Sequence, residues 1–496
     1  MTAAPLIEKP ELARTQSGIA GLDTILGGGF MLGGMYIIRG SPGTGKTILT
    51  NQICFHHVAS GGQALFVTLL SESHARMTAH LRNLSFFDEN RIPDQLAYVS
   101  GYNAMREGGL EELSKLLRRE ILRRRSTMLV IDGVVSAQAS APSDAAFKEF
   151  IHDLQEIALA ADCTMFLTTN TSKEASPEQT MVDGLIELTD QIYGWHAESD
   201  LQVRKFRGSG FLRGRHSYRI TDAGISVHPR IEALFAKPSL PNEAGVGRTS
   251  MGIDKLDGMF RGGLPIDSTT MVMGPSGIGK TTMGLHFLSR SSEAEPGLMF
   301  GFYETPARLS AKASVMFPSL RQYFDSGAVE VLWQTPRGDP LDAYSERLLE
   351  AVRRRNVRRV FIDGLAAFQN ATIDPSRIGS FFSALAIELR HLGVTTVYSL
   401  EVPDILGTSI RVPVEDVSGL AENLILLKFM AQRSRMHRQI ALLKVRDSDF
   451  DASLHQFVIT SNGIQIEDIS ESARDLLSDH ASRNAEGSDQ TSERRG

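Results

Sequence analysis

Short apolar runs alternate with longer amphipathic segments along most of this chain. In the amino-terminal half, the runs ALFVTLL, TMLVID and CTMFLTT are separated by helical patterns, the second of which covers residues 146–160. In the carboxy-terminal half, GLMFGFY, RVFIDG and VTTVYSL follow in the same order, with a helical pattern over residues 378–392. This alternation is typical of a mostly parallel sheet flanked by helices. The pattern therefore predicts an α/β fold that occurs twice.

Each half also contains a glycine-rich loop between an apolar run and a helical pattern. Both loops fit G-x-x-x-x-G-K-[ST], in which backbone N–H groups surround phosphates, the lysine reaches the β and γ phosphates and the hydroxyl binds Mg²⁺. The strand–loop–helix context is the one that this motif requires. We therefore expect each half to bind a nucleotide. The loops consist of Gly40, Ser41, Pro42, Gly43, Thr44, Gly45, Lys46 and Thr47, and of Gly274, Pro275, Ser276, Gly277, Ile278, Gly279, Lys280 and Thr281.

Two further pairs of segments show that the halves are copies of one domain. SGIAGLDTILGGGF matches SMGIDKLDGMFRGGLP upstream of each loop, and KFRGSGF with YRITDAGISV matches KVRDSDF with FVITSNGIQI downstream. All these landmarks recur at nearly the same displacement, which indicates duplication. The ITxxG turns predict an antiparallel hairpin at each sheet edge. The predicted organisation is an amino-terminal tail (1–16), a first domain (17–236), a linker (237–247), a second domain (248–469) and a disordered polar tail (470–496).

Aspartates at the ends of two matching strands are candidate metal ligands. Asp132 closes TMLVID and Asp363 closes RVFID. From this position a carboxylate holds the Mg²⁺ ion that accompanies a nucleotide. We expect Asp132 to act with Thr47 and Asp363 to act with Thr281.

Hydrolysis also requires a carboxylate that orients or deprotonates the attacking water. On this fold it usually ends the strand that follows the phosphate-loop helix. Glu304 occupies that position in the second half, whereas the first half has Leu70 and Ser71 there and Glu72 one residue later. We predict that Glu304 and Glu72, together with the two loop lysines, are catalytic.

A repeated K-x-R pair and two basic clusters are the other charged features. Lys205 and Arg207 match Lys444 and Arg446, and strand alternation points both members of a pair to one face. Such a pair can stabilise phosphate charge as arginine fingers do. The clusters LRREILRRR and RRRNVRR lack interleaved aromatic residues, so we interpret them as solvated helix surfaces.

Composition narrows the class of protein further. The net charge of −6 gives no overall attraction to nucleic acid or to an anionic membrane. Two cysteines exclude a disulfide framework and a multi-cysteine zinc site. The amino terminus lacks a cationic start followed by an apolar region, and no apolar run approaches the roughly 18 residues of a membrane span. We expect a cytoplasmic protein that binds neither membranes nor nucleic acid.

The tandem halves, the GLD…GG segments, the loops, the Asp-ended strands and the KFRGS/ITDAGI endings resemble the KaiC family of bacterial clock ATPases and autokinases. The resemblance implies tandem RecA-like P-loop domains, ATP with Mg²⁺, and a two-tiered homo-hexamer with nucleotides at subunit interfaces. KaiB-like or other signalling proteins would be its partners. It implies that the K-x-R strand reaches a neighbour's ATP. One site would be lined by Lys205, Phe206, Arg207, Ser209, Thr221 and Asp222, and the other by Arg438, Lys444, Val445, Arg446 and Ser448.

The chain departs from the clock proteins at two points. Clock KaiC has two adjacent glutamates after each catalytic strand, and neither half keeps both, since the second half has Tyr303 before Glu304. The family's Ser-Thr phosphorylation pair falls on Ser418 and Gly419, which leaves Ser418 as the phosphosite candidate.

Three functions remain open. The first is a hexameric KaiC-like ATPase with Ser/Thr autokinase activity in signalling or circadian-type timing, and the second is an ATP-gated scaffold with little turnover. The third is a RecA/RadA-like DNA-dependent ATPase. It requires basic loops, but the matching stretches TSKEASPEQTMVDG and EVPDILGTSIRVPVED are acidic or mixed.

Overall fold

A computed structural model describes residues 13–69, 74–170, 178–194, 196–236, 246–335, 339–402, 421–432, 435–446 and 448–467. The chain divides into two compact units between Leu234 and Phe235. Within these ranges, no helix combines the length and the apolar character needed to cross a membrane. The predicted carboxy-terminal tail and most of the predicted linker lie outside the described residues.

The first unit is built on a nine-stranded sheet of order β11-β10-β9-β8-β3-β7-β6-β4-β5. The strands from β8 to β5 in this order are parallel, and β9, β10 and β11 join antiparallel. A separate pair, β1 and β2, places residues of the predicted amino-terminal tail against the first domain. The strands are β1 (Arg14–Thr15), β2 (Phe30–Met31), β3 (Met35–Gly40), β4 (Ala64–Thr68), β5 (Leu96–Ser100), β6 (Met128–Asp132), β7 (Thr164–Thr169), β8 (Gly184–Tyr193), β9 (His196–Phe206), β10 (Arg215–Thr221) and β11 (Gly224–His228).

Helices cover both faces of this sheet, because its central strands are apolar on both sides. Two buried clusters result, one containing Ile38 and Phe66 and the other Ile37 and Leu65. Ser143 accepts a hydrogen bond from the Ala146 N–H at 3.2 Å, which starts α6 two residues before its predicted beginning. The helices are α1 (Ala20–Leu26), α2 (Lys46–Ala59), α3 (His74–Leu81), α4 (Tyr102–Arg124), α5 (Val134–Ser140), α6 (Asp144–Ala160), α7 (Glu178–Met181) and α8 (Ile231–Leu234).

The second unit repeats this topology strand for strand. Its sheet has the order β16-β15-β17-β18-β14-β19-β20-β21-β22, again with a parallel part and three antiparallel additions. The strands are β12 (Arg248–Thr249), β13 (Leu264–Pro265), β14 (Thr269–Gly274), β15 (Gly297–Gly301), β16 (Val329–Trp333), β17 (Arg359–Asp363), β18 (Thr395–Glu401), β19 (Asn423–Gln432), β20 (Arg435–Val445), β21 (His455–Thr460) and β22 (Gly463–Glu467). The helices are α9 (Asp254–Met259), α10 (Lys280–Leu288), α11 (Pro306–Met316), α12 (Pro318–Ser326), α13 (Leu341–Arg355), α14 (Leu365–Gln369) and α15 (Arg377–His391).

The predicted fold class is confirmed: the chain contains two tandem RecA-like α/β domains with mostly parallel sheets. The two ITxxG segments form the hairpins β10–β11 and β21–β22 at the sheet edge, as predicted. Each hairpin turn contains a glycine, Gly224 or Gly463. Their φ values of 96° and 89° are in the region that glycine adopts most readily, because it has no Cβ.

A polar side chain on each phosphate-loop helix fixes the adjacent hairpin. In the first unit, Gln52 accepts from the Ile225 N–H at 2.7 Å and donates to its carbonyl at 3.2 Å. In the second unit, His286 Nε2 accepts from the Ile464 N–H at 2.7 Å, and Nδ1 lies 3.1 Å from the Gly252 carbonyl. A carbonyl only accepts and an N–H only donates, so these partners require neutral His286 with the proton on Nδ1.

We expect this histidine to make the second domain sensitive to acid. Burial lowers the pKa of His286 from 6.5 to about 4, so the unfolded chain takes up a proton before the folded one does. The contribution of His286 to the free energy of unfolding is therefore fully present above pH 6.5 and is lost as the pH falls toward 4. Between pH 7 and pH 5 the loss is on the order of 2 kcal/mol. Urea unfolding at both pH values should show this loss in the parent chain and not in His286→Gln.

His152→Gln is the matched control, because His152 is exposed on α6. It should keep the parent's pH dependence. If the stability of His286→Gln fell between pH 7 and pH 5 by as much as that of the parent, groups other than His286 would cause the acid sensitivity.

Candidate nucleotide sites

The two phosphate loops leave the carboxyl ends of β3 and β14 and lead directly into α2 and α10. The last glycine of each loop, Gly45 or Gly279, has a φ of 87° or 121°. A Cβ at these positions would approach the Cδ1 atoms of Ile220 and Ile459 to 2.5 and 2.8 Å. The positive φ therefore favours glycine at both positions, and any larger residue would also have to displace these isoleucine methyl groups. Each loop places backbone N–H groups at a helix amino terminus, where anions bind favourably.

Both loop lysines fold back over their own loops. Lys46 Nζ donates to the carbonyls of Gly40 and Ser41 at 2.7 and 2.9 Å. Lys280 Nζ donates to those of Gly274 and Pro275, both at 2.8 Å. Burial lowers the pKa of both lysines, while nearby carboxylates oppose the shift. Phosphate oxygens would offer these ammonium groups a stronger, charged acceptor.

The threonine and aspartate predicted as metal ligands meet in both sites. Thr47 Oγ1 lies 3.1 Å from Asp132 Oδ2, and Thr281 Oγ1 lies 2.8 Å from Asp363 Oδ2. The other oxygen of Asp363 accepts from Ser399 Oγ at 2.5 Å, and Thr168 Oγ1 donates to Asp132 in the same way. Burial raises the pKa of Asp363, and a cation would reverse that penalty. A hydroxyl and one carboxylate fit Mg²⁺, which keeps waters and phosphate oxygens as its remaining ligands.

A pocket of about 810 Å³ opens beside the second loop. Glu304 lines it and is paired with Lys312 of α11 at 3.3 Å. Tyr303, at the position of the family's first glutamate, is 60% exposed and packs over Gly364. The pocket thus keeps one of the two expected carboxylates. Glu72, its candidate counterpart in the first domain, and the phosphosite candidate Ser418 lie outside the described residues.

Sequence reasoning missed a third carboxylate in this pocket, beside Glu304 and Asp363. Glu401 is the last residue of β18, and the parallel register sets it beside Gly274, the first residue of the loop. The only signal in the sequence is an acidic residue directly after the run VTTVYSL.

The predicted site residues on and after β9 and β20 lie at two different ends of their sheets. The first group is at the end where the phosphate loop lies. Thr221 and Asp222 form the hairpin turn beside their own loop, where Tyr218 Oη donates to the Thr44 carbonyl at 2.8 Å. Arg438 occupies the same end of the second sheet and stacks on Phe429, with its guanidinium carbon 5.6 Å from the ring centre.

The K-x-R residues lie at the opposite end of each sheet. The backbone N–H of Arg207 donates to the carbonyl of Asp183. The backbone N–H of Asp183 donates in turn to the carbonyl of Met35, the first residue of β3. The loop leaves from the last residue of that strand, roughly 17 Å away along it. The second domain has the same two bonds. The Arg446 N–H donates to the Glu422 carbonyl, and the Glu422 N–H donates to the carbonyl of Thr269, the first residue of β14. The structure therefore does not bring either arginine to the loop of its own domain.

Side chains at these ends are held by local contacts. Lys205 and Arg207 both donate to the Thr180 carbonyl at 3.0 Å, so the pair shares a face as the alternation predicts. Lys444 donates to the Ala421 carbonyl at 2.9 Å. The neighbouring predicted residues are the buried Phe206 and Val445, and Ser209 and Ser448, whose hydroxyls donate to the next backbone carbonyl.

Arginines of both basic clusters are paired with glutamates. Arg123 and Arg124 contact Glu120 along α4, and Arg354 and Arg355 contact Glu330 of β16. This pairing leaves less positive charge for a nucleic-acid backbone, so the DNA-dependent alternative is not favoured.

Comparison with known proteins agrees with this geometry. The sequence model of the family described as "ATPase: KaiC" matches residues 15–232 and 249–471. The chain is 25% identical to the circadian clock oscillator protein KaiC of Parathermosynechococcus lividus, over 94% of this chain and 87% of that protein. It is 22% identical to circadian clock oscillator protein KaiC 1 of Synechocystis sp. (strain ATCC 27184 / PCC 6803 / Kazusa), over 94% and 91%. KaiC of Synechococcus elongatus is also 22% identical, over 93% and 90%. Since the family model covers both sheets and both phosphate loops, the chain belongs to the KaiC ATPase family.

Proposed function

We propose that this protein is an ATPase that hydrolyses ATP at the subunit interfaces of a homo-hexamer. The observation that carries this proposal is the separation of each site into two parts at opposite ends of the sheet. The loop, the Thr–Asp pair and Glu304 lie at one end, and the K-x-R residues lie at the other. A head-to-tail ring closes such a gap, because each subunit then presents its K-x-R end to the next subunit's loop.

The residues have distinct roles in this assembly. Bound Mg²⁺-ATP supplies the γ-phosphoryl group that is transferred. Lys280 leaves its loop carbonyls to contact the β and γ phosphates, while Thr281 and Asp363 hold the metal. Glu304 orients the attacking water, and Lys444 and Arg446 of the neighbouring subunit stabilise the charge that develops. Lys46, Thr47, Asp132, Lys205 and Arg207 act correspondingly in the first domain, with Glu72 as its candidate water-orienting residue.

The residues beside each loop serve the other end of the nucleotide. Thr221 and Asp222 in the first domain and Arg438 in the second lie near their own loops, where the base and ribose of ATP would extend. The sites therefore combine three parts, of which two come from one subunit and one from the next.

We extend the proposal to autophosphorylation at Ser418 and to a role in signalling or circadian-type timing. The support is the similarity to clock proteins and the fact that Ser418 occupies the sequence position of the family's phosphorylation pair. In this role KaiB-like or other signalling proteins are the partners.

One experiment tests these statements together: incubation of the full chain with ATP labelled on the γ phosphate. We expect a hexamer mass by light scattering, released phosphate, and label on the protein that disappears in Ser418→Ala. The serine variant should still release phosphate, because Ser418 is not part of the hydrolytic apparatus. A hexamer that binds ATP without releasing phosphate would favour the scaffold function instead, and a monomer with ATP bound would contradict the interface site.

A further inference from the structure

Three carboxylates end three adjacent strands at the carboxyl edge of the second sheet. The strand order places Glu304 after β15, Asp363 at the end of β17 and Glu401 at the end of β18, which adjoins the loop strand β14. All three line the same pocket. Glu401 is thus on a strand that directly adjoins the loop strand, whereas Glu304 follows a strand two positions further away in the sheet.

The other two carboxylates are already engaged. Both oxygens of Asp363 accept hydrogen bonds, from Thr281 and Ser399, and Glu304 is paired with Lys312. Glu401 is exposed to the pocket, and its side chain makes no hydrogen bond or ion pair with the residues that the structure describes. Of the three carboxylates, Glu401 is thus the one whose side chain is not committed to another described group by a hydrogen bond or an ion pair.

The direction of Glu401 follows from strand alternation. Ser399 precedes it by two residues on β18, so the two side chains project from the same face. Ser399 on this face reaches Asp363 and the Gly364 N–H, which are at the candidate metal position. The charge of Glu401 also acts on the two pocket residues Lys280 and Tyr303, and it favours the protonated form of each. Glu401 therefore faces the space between the loop lysine and the strand that carries Glu304.

In the first domain a different residue type occupies the corresponding register position. Its register pairs Arg39 with Thr169, so the residue beside Gly40, the first of the loop, is Asn170. An amide can orient a water but cannot take up its proton at neutral pH. The two sites therefore differ at the position beside the first residue of the phosphate loop.

We propose that Glu401 is the proton acceptor for phosphoryl transfer in the second-domain site. This inference rests on the proposed ATPase function and deepens it. The water oxygen forms a bond to the γ phosphorus, the bond from that phosphorus to the β-bridging oxygen breaks, and its electron pair leaves with ADP. The proton of the water passes to Glu401, while Glu304 orients the water. General bases of this kind contribute about 10²–10⁴-fold to the rate.

The test uses the full chain carrying Lys46→Ala, so that phosphate release reports on the second site. In this parent, we expect Glu401→Gln to lower phosphate release by about 10²-fold or more. Its affinity for a fluorescent ATP analogue should stay unchanged or rise, because one negative charge near a polyanion is removed. A merely structural role would weaken binding and turnover together.

Glu293→Gln is the matched control. Glu293 is exposed and precedes β15, at the end of that strand remote from the pocket, so both measurements should equal those of the parent. The inference is overturned if Glu401→Gln keeps more than half of the parent's rate, or if it loses nucleotide affinity in parallel with the rate. A parent that neither binds the analogue nor releases phosphate would instead contradict the proposed function itself.

Discussion

Replacing both loop lysines with alanine is expected to lower total phosphate release by at least 10²-fold. Lys46 and Lys280 are the only cations that each loop itself supplies to the β and γ phosphates, and both are poised over their loops. Each single variant should keep the rate of the other domain, because each domain has its own complete loop and its own Thr–Asp pair. Steady-state phosphate release from the two single variants and the double variant measures this directly.

Lys148→Ala is the control for loss of a lysine in general, since Lys148 is exposed on α6. It should leave phosphate release unchanged. Turnover in the double variant close to that of the parent would mean that neither loop binds the reacting nucleotide, and the assignment of both sites would be wrong.

Removing the arginine of the K-x-R pair should have the second large effect, although it lies far from its own loop. Arginine fingers contribute about 10³–10⁵-fold to phosphoryl transfer, so Arg446→Ala should nearly abolish turnover in the second site. The expected defect lies in the interface with the neighbouring subunit. Mixing is therefore the decisive measurement: Arg446→Ala subunits still supply an intact loop, and Lys280→Ala subunits still supply an intact arginine.

In a randomly mixed ring, roughly a quarter of the interfaces pair an intact loop with an intact arginine. Phosphate release above the first-domain rate should therefore reappear in the mixture, although neither variant shows it alone. Arg435→Ala, at the other end of β20, should behave like the parent. If mixed hexamers form and no activity returns, Arg446 does not act across an interface.

The sequence was sufficient to predict the parts that are local along the chain. A phosphate loop is eight consecutive residues, so its glycines, its lysine and its threonine were predictable without tertiary information. Asp132 and Asp363 were equally accessible, because an acidic residue after a buried run is visible at short range. The hairpins were predictable from their ITxxG turns, where positive φ favours glycine.

Relations across strands were not predictable in this way. Glu401 follows the loop by more than a hundred positions, and only the parallel register of β14 and β18 sets it beside Gly274. His286 and Gln52 differ in type, yet they fix equivalent hairpins in the two domains through long-range hydrogen bonds. Neither relation leaves a pattern that hydrophobic periodicity could detect.

For this protein, the sequence by itself determined the duplicated α/β architecture, the KaiC family and the residues of the loops and of the two Thr–Asp pairs. Those properties depend on short-range spacing and on burial, which a linear pattern records. Only the tertiary structure decided that the K-x-R residues are at the far end of the sheet and that Glu401 adjoins the loop. The reason is physical: the order and register of parallel strands are set by packing between segments far apart in the chain, and that packing determines which side chains share an edge.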